Sequence, residues 1–300
     1  MLQKNNLMVK NNLEIHFFTI VLNGRPFIEQ HIETFSSLSI KWHWHIIEGV
    51  ADLKNDTSWS LKNGGAIPAS LHLNGLSNDG TTDYIDELQK KYPNNISVYR
   101  KENGAFWNGK LEMINAPLKK IKKECLLWEI DVDEFWSRNQ ILETLSMFEE
   151  NPNKYGAFYW CNFYVGPELV IATRFGYGNN PQFEWQRTWR YKPHFIWSSH
   201  EPPMLIERDY SGKIRPVIAR GFFSHDETEA RGLIFQHRAY VNEKQLEFKE
   251  IYYGYKDAKS QWNELQNCKK FPVKLSNFFS WVNDDTIVEK AASLGLPLLN

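Results

Sequence analysis

The sequence predicts an α/β fold with a mainly parallel central sheet flanked by helices, on three observations. Short apolar, β-rich runs alternate with segments whose apolar residues recur at helical spacing. Turn residues such as Asn23-Gly24-Arg25-Pro26 separate them. The apolar run 126–130 ends in Asp131-Val132-Asp133-Glu134, and open α/β sheets bind ligands at the carboxyl ends of their strands.

The elements follow in order. Residues 16–22 are a first strand closed by the turn at 23–26, and Pro26 suits a helix start before Phe27, Ile28, His31, Ile32 and Phe35. Residues 42–47 form a second strand ending at Glu48-Gly49, and a Gly- and Asn-rich loop fills 52–80. Tyr84, Ile85, Leu88 and Tyr92 mark a helix, 96–99 a third strand, 111–121 a helix and 126–130 a fourth strand. Beyond Trp136, a helix is expected over 141–148, strands over 157–165, 186–191 and 233–240, a loop at 176–181, and helices over 243–252 and 255–266. The stretch from Phe271 packs or caps. No linker or repeat divides the chain, so one domain is expected over 1–300: a nucleotide-binding half over about 14–136, an acceptor-facing half over about 137–265, and an extension over 266–300.

Composition narrows the function. A net charge of −1 offers no basic field for nucleic acid or an anionic membrane. Aromatic residues make up 15% of the chain, with 12 Trp, which suits stacking on sugars or bases and equally suits an aromatic core. Three widely spaced cysteines without a CxxC suggest neither a disulfide framework nor a zinc site, and point to a reducing compartment. Residues 1–14 lack the apolar core of a signal peptide, and no apolar run approaches the ~18 residues of a membrane span. A cytoplasmic protein is expected, with any membrane contact peripheral.

The acidic motif carries the chemistry. On strand alternation, Asp131 and Asp133 project to one side and Glu134 to the other. Two carboxylates on one face favour a hard divalent cation such as Mg2+ or Mn2+, which can bridge to nucleotide phosphates. Neutralising one of them would relieve repulsion and slightly stabilise the fold.

The order of strand, Asn-Gly turn, strand ending in an acid and Asp131-Val132-Asp133 resembles a GT-A glycosyltransferase of the family 2-like group. The resemblance covers about residues 14–265 and is most specific at 128–135, at His200-Glu201-Pro202 and at Phe235-Gln236-His237-Arg238-Ala239-Tyr240. It implies a GT-A fold and a UDP- or GDP-sugar donor. A divalent ion, Mn2+ or Mg2+, would lie under the diphosphate, and a sugar would pass to a glycan or other hydroxyl acceptor, in an inverting reaction of bacterial-type surface glycan synthesis. It implies a metal site of Asp131, Asp133 and the late His237, with Asp133 the first direct ligand and Asp131 contacting ribose or a metal-bound water. An imidazole ligand tilts the choice of ion towards Mn2+. Asn23, Glu48, Trp107 and Lys110 fall where such a fold places donor contacts, although Asn23-Gly24 departs from the usual Asn-Glu opening. Glu201 and Asp226 compete as the base that deprotonates the acceptor. A sugar-nucleotide pyrophosphorylase and a non-catalytic carbohydrate-binding protein are the alternatives. The former lacks its usual N-terminal glycine-rich basic loop here, and the latter has no need of carboxylates at the end of a buried strand.

Overall fold

A computed structural model describes residues 13–55, 58–180, 185–208 and 211–299. The apolar run after Leu13 forms β1 (Glu14–Val21), followed by α1 (Ile28–Ser36), β2 (Trp42–Glu48), α2 (Ser58–Lys62), α3 (Thr81–Lys91), β3 (Ile96–Tyr99), α4 (Lys110–Asn115) and β4 (Cys125–Glu129). β1 lies between β2 and β4, parallel to both, and β3 lies parallel beyond β2. Strands covered on both faces must be apolar on both. On one face the fully buried Phe17, Trp44 and Trp128 meet α1, where Phe17 stacks on Phe35 at 4.1 Å; on the other, Phe18 and Leu127 pack with Trp189 and Trp197.

The chain continues through β5 (Glu134–Phe135), α5 (Arg138–Glu150), β6 (Gly156–Phe158), β7 (Trp160–Phe163), β8 (Leu169–Ile171), β9 (Gln186–Tyr191), β10 (Ile196–His200), β11 (Pro203–Arg208) and β12 (Ile214–Pro216). It ends with β13 (Phe222–Phe223), α6 (His225–Glu229), β14 (Ile234–His237), α7 (Glu243–Tyr253), α8 (Ala258–Gln266), β15 (Val273–Lys274) and β16 (Ile287–Lys290). The result is a mixed α/β architecture around a seven-stranded, mainly parallel sheet of order β13-β6-β9-β4-β1-β2-β3, in which only β9 pairs antiparallel, to β4 and β6. The three-stranded sheets are β10-β11-β12, β5-β14-β7 and β15-β16-β8. Strands from both halves of the chain build the large sheet. β2 and β3 succeed β1 on one side and β4 on the other, so the strand order reverses between β1 and β4, where open sheets leave a ligand crevice.

Several elements differ from expectation. The helix begun at Lys110 ends at Asn115, because Pro117 starts a separate 3-10 turn over Pro117–Lys119. The single strand expected over 157–165 divides at Tyr159, β6 joining the large sheet and β7 pairing with β14. The loop at 52–80 contains α2 and two 3-10 turns, Leu53–Asn55 and Ala69–Leu71. α8 begins at Ala258 rather than Tyr255, with Asp257 at φ 55° before it. The stretch after Phe271 supplies two strands to the β8 sheet. No helix among the described residues is long and apolar enough to cross a membrane.

Candidate active site

A cleft of about 1170 Å³ opens over the carboxyl ends of β1 and β4. β4 stops at Glu129, so strand alternation no longer governs the acidic motif; Asp131 to Glu134 is a turn closed by the Glu134 amide donating to the Asp131 carbonyl at 3.0 Å. That turn feeds β5, whose Glu134 and Phe135 pair antiparallel with His237 and Gln236 of β14. The pairing brings a residue about a hundred positions downstream beside the motif: the Arg238 amide donates to the Asp133 carbonyl at 2.8 Å, and His237 Nε2 lies 3.6 Å from Asp133 Oδ1. His237 Nδ1 is buried without a hydrogen-bond partner among the described residues.

The charges divide differently from the sequence pattern. Glu134, expected to face away from Asp131, is fully buried and bound by Arg187 of β9, whose Nε and Nη2 reach its carboxylate at 2.7–3.1 Å. The same guanidinium lies 3.6 Å from Asp131, so Asp131 and Glu134 share one cation. Burial works against the Arg187 charge, but Glu134, Glu129 and Asp131 more than compensate and keep it cationic. For Asp133, burial pushes the carboxyl up, and His237 and Lys249 reverse this to leave it below its ordinary value. The fold therefore favours the charged form of Asp133, and neutralising it is expected to cost stability rather than add to it. Burial lowers the Lys249 ammonium of α7 and neighbouring Lys110 adds to this, while Asp133, Asp131 and Glu201 oppose it.

Other residues expected at the site are distributed as follows. Lys110, at the start of α4, lines the cleft, with its Nζ 3.5 Å from the Tyr253 hydroxyl. Glu201 lines it too, exposed on the turn between β10 and β11. Asn23 is at its edge in the left-handed region, φ 57°; its side chain donates to the Leu71 carbonyl and accepts from the Asn78 amide, which fixes the loop before α3. A Cβ on Gly24 would fall 2.6 Å from Val21 Cγ2 and 3.2 Å from Val132 Cγ1 of the acidic turn, so a larger residue there must displace these side chains. Glu48 is fully buried, its carboxylate accepting from the Ser77 amide, the Thr82 hydroxyl and Arg100 Nε. Trp107 is buried and donates to the Glu48 carbonyl. Neither Glu48 nor Trp107 is in the cleft wall, and neither is Asp226, which lies in the first turn of α6.

Sequence reasoning gave no role to four cleft residues, Arg187, Glu129, His200 and Lys249, although Glu129 and His200 fall within segments where the resemblance is most specific. His200 Nε2 is 3.4 Å from Glu129 Oε1, and both Glu129 Oε2 and His200 Nδ1 are buried without hydrogen-bond partners among the described residues. A charged residue inside an apolar strand, as at Glu129, was the available signal. Among the described residues, no group of three His, Cys, Asp or Glu side chains is gathered to hold a metal. Asp133 and His237 do offer one carboxylate and one imidazole side by side, a donor pair that suits an ion sharing its remaining positions with phosphate oxygens and water.

No family model and no curated protein matches the sequence. Among solved structures, the chain is similar to S. aureus TarS 1–349, at 11% identity and TM-score 0.38 over 59% of this chain and 47% of that one. It is similar to the mannosyltransferase PcManGT from Pyrobaculum calidifontis, in complex with GDP-Man and Mn2+, at 12% identity and TM-score 0.36 over 50% of this chain and 36% of that one. A third likeness, at 10% identity and TM-score 0.33, is to 4-diphosphocytidyl-2C-methyl-D-erythritol synthase, over 85% of this chain and 98% of that one. The chain thus spans about half of the TarS fragment and about a third of the mannosyltransferase.

Proposed function

We propose that the protein is a GT-A-like glycosyltransferase that takes a sugar from a nucleoside diphosphate donor and passes it to a hydroxyl acceptor. The observation that carries this reading is the meeting of Asp133 and His237 at the carboxyl end of β4, with two lysines lining the same cleft at the sheet's reversal point. Glycosyl transfer releases a nucleoside diphosphate, whose developing charge must be met by a metal or by cationic side chains. Asp133 and His237 would hold a divalent ion, Mn2+ being favoured by the imidazole. When bound, that ion supplies Lewis-acid stabilisation of the leaving diphosphate. Two side chains make a weak site for a free ion, so metal and nucleotide would bind together. Asp131, 3.6 Å from Arg187, would contact a ribose or a metal-bound water rather than make a second direct metal bond. Glu201 is the favoured acceptor base, because it stands on the cleft and Asp226 does not. The acceptor is a glycan or another hydroxyl compound.

Calorimetric titration of UDP and GDP with and without Mn2+ tests the reading. Wild type should bind at least one of them more tightly with Mn2+, and Asp133→Asn should lose that metal dependence and melt at a lower temperature than wild type. Failure of wild type to bind either nucleotide overturns the proposal. Pyrophosphate release from a nucleoside triphosphate and a sugar phosphate would replace it with nucleotidyl transfer.

A further inference from the structure

Lys110 and Lys249 come from α4 and α7, which are 139 positions apart at these residues by number, yet both line the cleft and both meet the ring of Tyr253. Their Nζ atoms lie 5.4 and 5.6 Å from its centroid, and Lys249 also lies 4.8 Å from the Tyr240 ring. Burial disfavours the Lys249 ammonium first, and the charge of Lys110 adds to this. Two long, flexible cations brought to one aromatic ring repel each other and lose side-chain entropy. The cation–π attraction of each is on the order of 1 kcal/mol at such sites.

The carboxylates that face Lys249 are Asp133, Asp131 and Glu201. Asp131 is already matched by Arg187 and Asp133 is shared with His237. An ion taken up by Asp133 would withdraw one of Lys249's counter-charges at the moment a diphosphate arrives.

We infer that Lys110 and Lys249 form a paired cationic site for the non-bridging oxygens of a diphosphate, in the same cleft as the Asp133–His237 pair. This deepens the proposed function and rests on it for the identity of the anion, a donor nucleoside diphosphate. The same chemistry would also take a phosphorylated acceptor, and competition separates the two. The lysines act as point-charge donors, and a diphosphate held between them accepts a charge-assisted hydrogen bond from each. Because these contacts require no divalent ion, inorganic pyrophosphate should bind in EDTA.

The experiment measures binding of inorganic pyrophosphate, UDP and GDP to the full chain in EDTA and in Mn2+, for wild type, Lys110→Met, Lys249→Met and the corresponding arginine variants. Each methionine variant should weaken pyrophosphate in EDTA by ~10- to 100-fold, the equivalent of one charge-assisted hydrogen bond. The arginine variants should restore most of the affinity, and UDP or GDP should displace pyrophosphate. Unchanged pyrophosphate affinity in both methionine variants, with melting temperatures near wild type, overturns the inference. So does simultaneous binding of pyrophosphate and nucleotide, which would assign the lysines to a different anion. If wild type binds pyrophosphate through these lysines but binds neither nucleotide, the cationic site stands and the glycosyltransferase reading falls.

Discussion

Arg187 holds Glu134 through two of its nitrogens while approaching Asp131, and its guanidinium lies 5.0 Å from the Trp185 ring. Replacing it with Met would leave a fully buried carboxylate without its cation. Breaking a buried pair from one side costs about 3–5 kcal/mol, so Arg187→Met should lower the urea midpoint steeply. Glu134→Gln, which keeps a hydrogen-bond acceptor for the guanidinium, should cost less. Equal midpoints for Arg187→Met and wild type would show that the pair is not a net support of the fold. At Glu201, exposed on the cleft, substitution should touch chemistry and not stability. Glu201→Gln is expected to retain nucleotide binding and lower kcat by ~10²- to 10⁴-fold, read in single-turnover transfer beside Asp226→Asn. If only the Asp226 variant loses turnover, the base lies at the α6 end instead. The acidic motif was legible because carboxylates at the end of an apolar run are physically anomalous. Arg187 and Lys249 were not: one hides in the alternation of an aromatic strand, the other reads as an ordinary lysine on a helix face. Glu48 was misjudged for the complementary reason, since a strand-end acid gives no sign that Ser77, Thr82 and Arg100 will enclose it.

α5 is the element that couples the acidic turn to β14. Ser137 accepts from the Gln140 amide while Gln140 Oε1 accepts from the Ser137 amide, a reciprocal cap. Gln140 Nε2 then donates to the Ile234 carbonyl at 2.7 Å, at the start of the strand that carries His237. Ser137→Ala should cost about 1 kcal/mol, and Gln140→Ala should cost more, because it removes both the cap and the tie to β14. A double-mutant cycle followed by thermal melting checks this, and a larger loss for Ser137→Ala than for Gln140→Ala would refute the tie. Element boundaries were legible where one physical signal dominated: the strand at 96–99 matches β3 and that at 186–191 matches β9 residue for residue. They were hidden where pairing, rather than local pattern, defines the element. The run 157–165 looks continuous, and only the divergence of two sheets at Tyr159 divides it. β12, β15 and β16 are short and carry exposed polar residues, so their strand character comes from the partners they find.

Across the whole molecule, the cost of proton uptake is concentrated in the large sheet rather than in the cleft. His16, His43 and His45 project from neighbouring strands onto one face, where His16 Nδ1 and His45 Nε2 meet at 2.9 Å and His16 stacks on both other rings. Only one proton can occupy the shared N···N contact, and Lys120 adds positive charge nearby. Burial first, then His43, holds His16 down at about 4; burial also lowers His43 and takes His45 well below its ordinary value. On α1, His31 is likewise held at about 4 by burial, although the Val132 carbonyl accepts from its Nε2 and favours the charged form. In the unfolded chain these groups titrate near 6.5. Above that pH both states are neutral and the full stability is present. As pH falls from 6.5 towards 4 the unfolded chain takes up protons that the folded chain refuses, so stability declines throughout that window. A single histidine moved from 6.5 to about 4 contributes ~3 kcal/mol to this decline. Glu134 works in the opposite sense over part of the range, because burial pushes its carboxyl up, but it is one group against four. Urea midpoints should therefore fall markedly between pH 7.5 and pH 5, before most carboxylates titrate. The double variant His16→Gln with His45→Gln should start lower at pH 7.5 and show a shallower decline. An undiminished slope in that variant would move the acid sensitivity away from the histidine cluster, leaving His31 as the next group to replace.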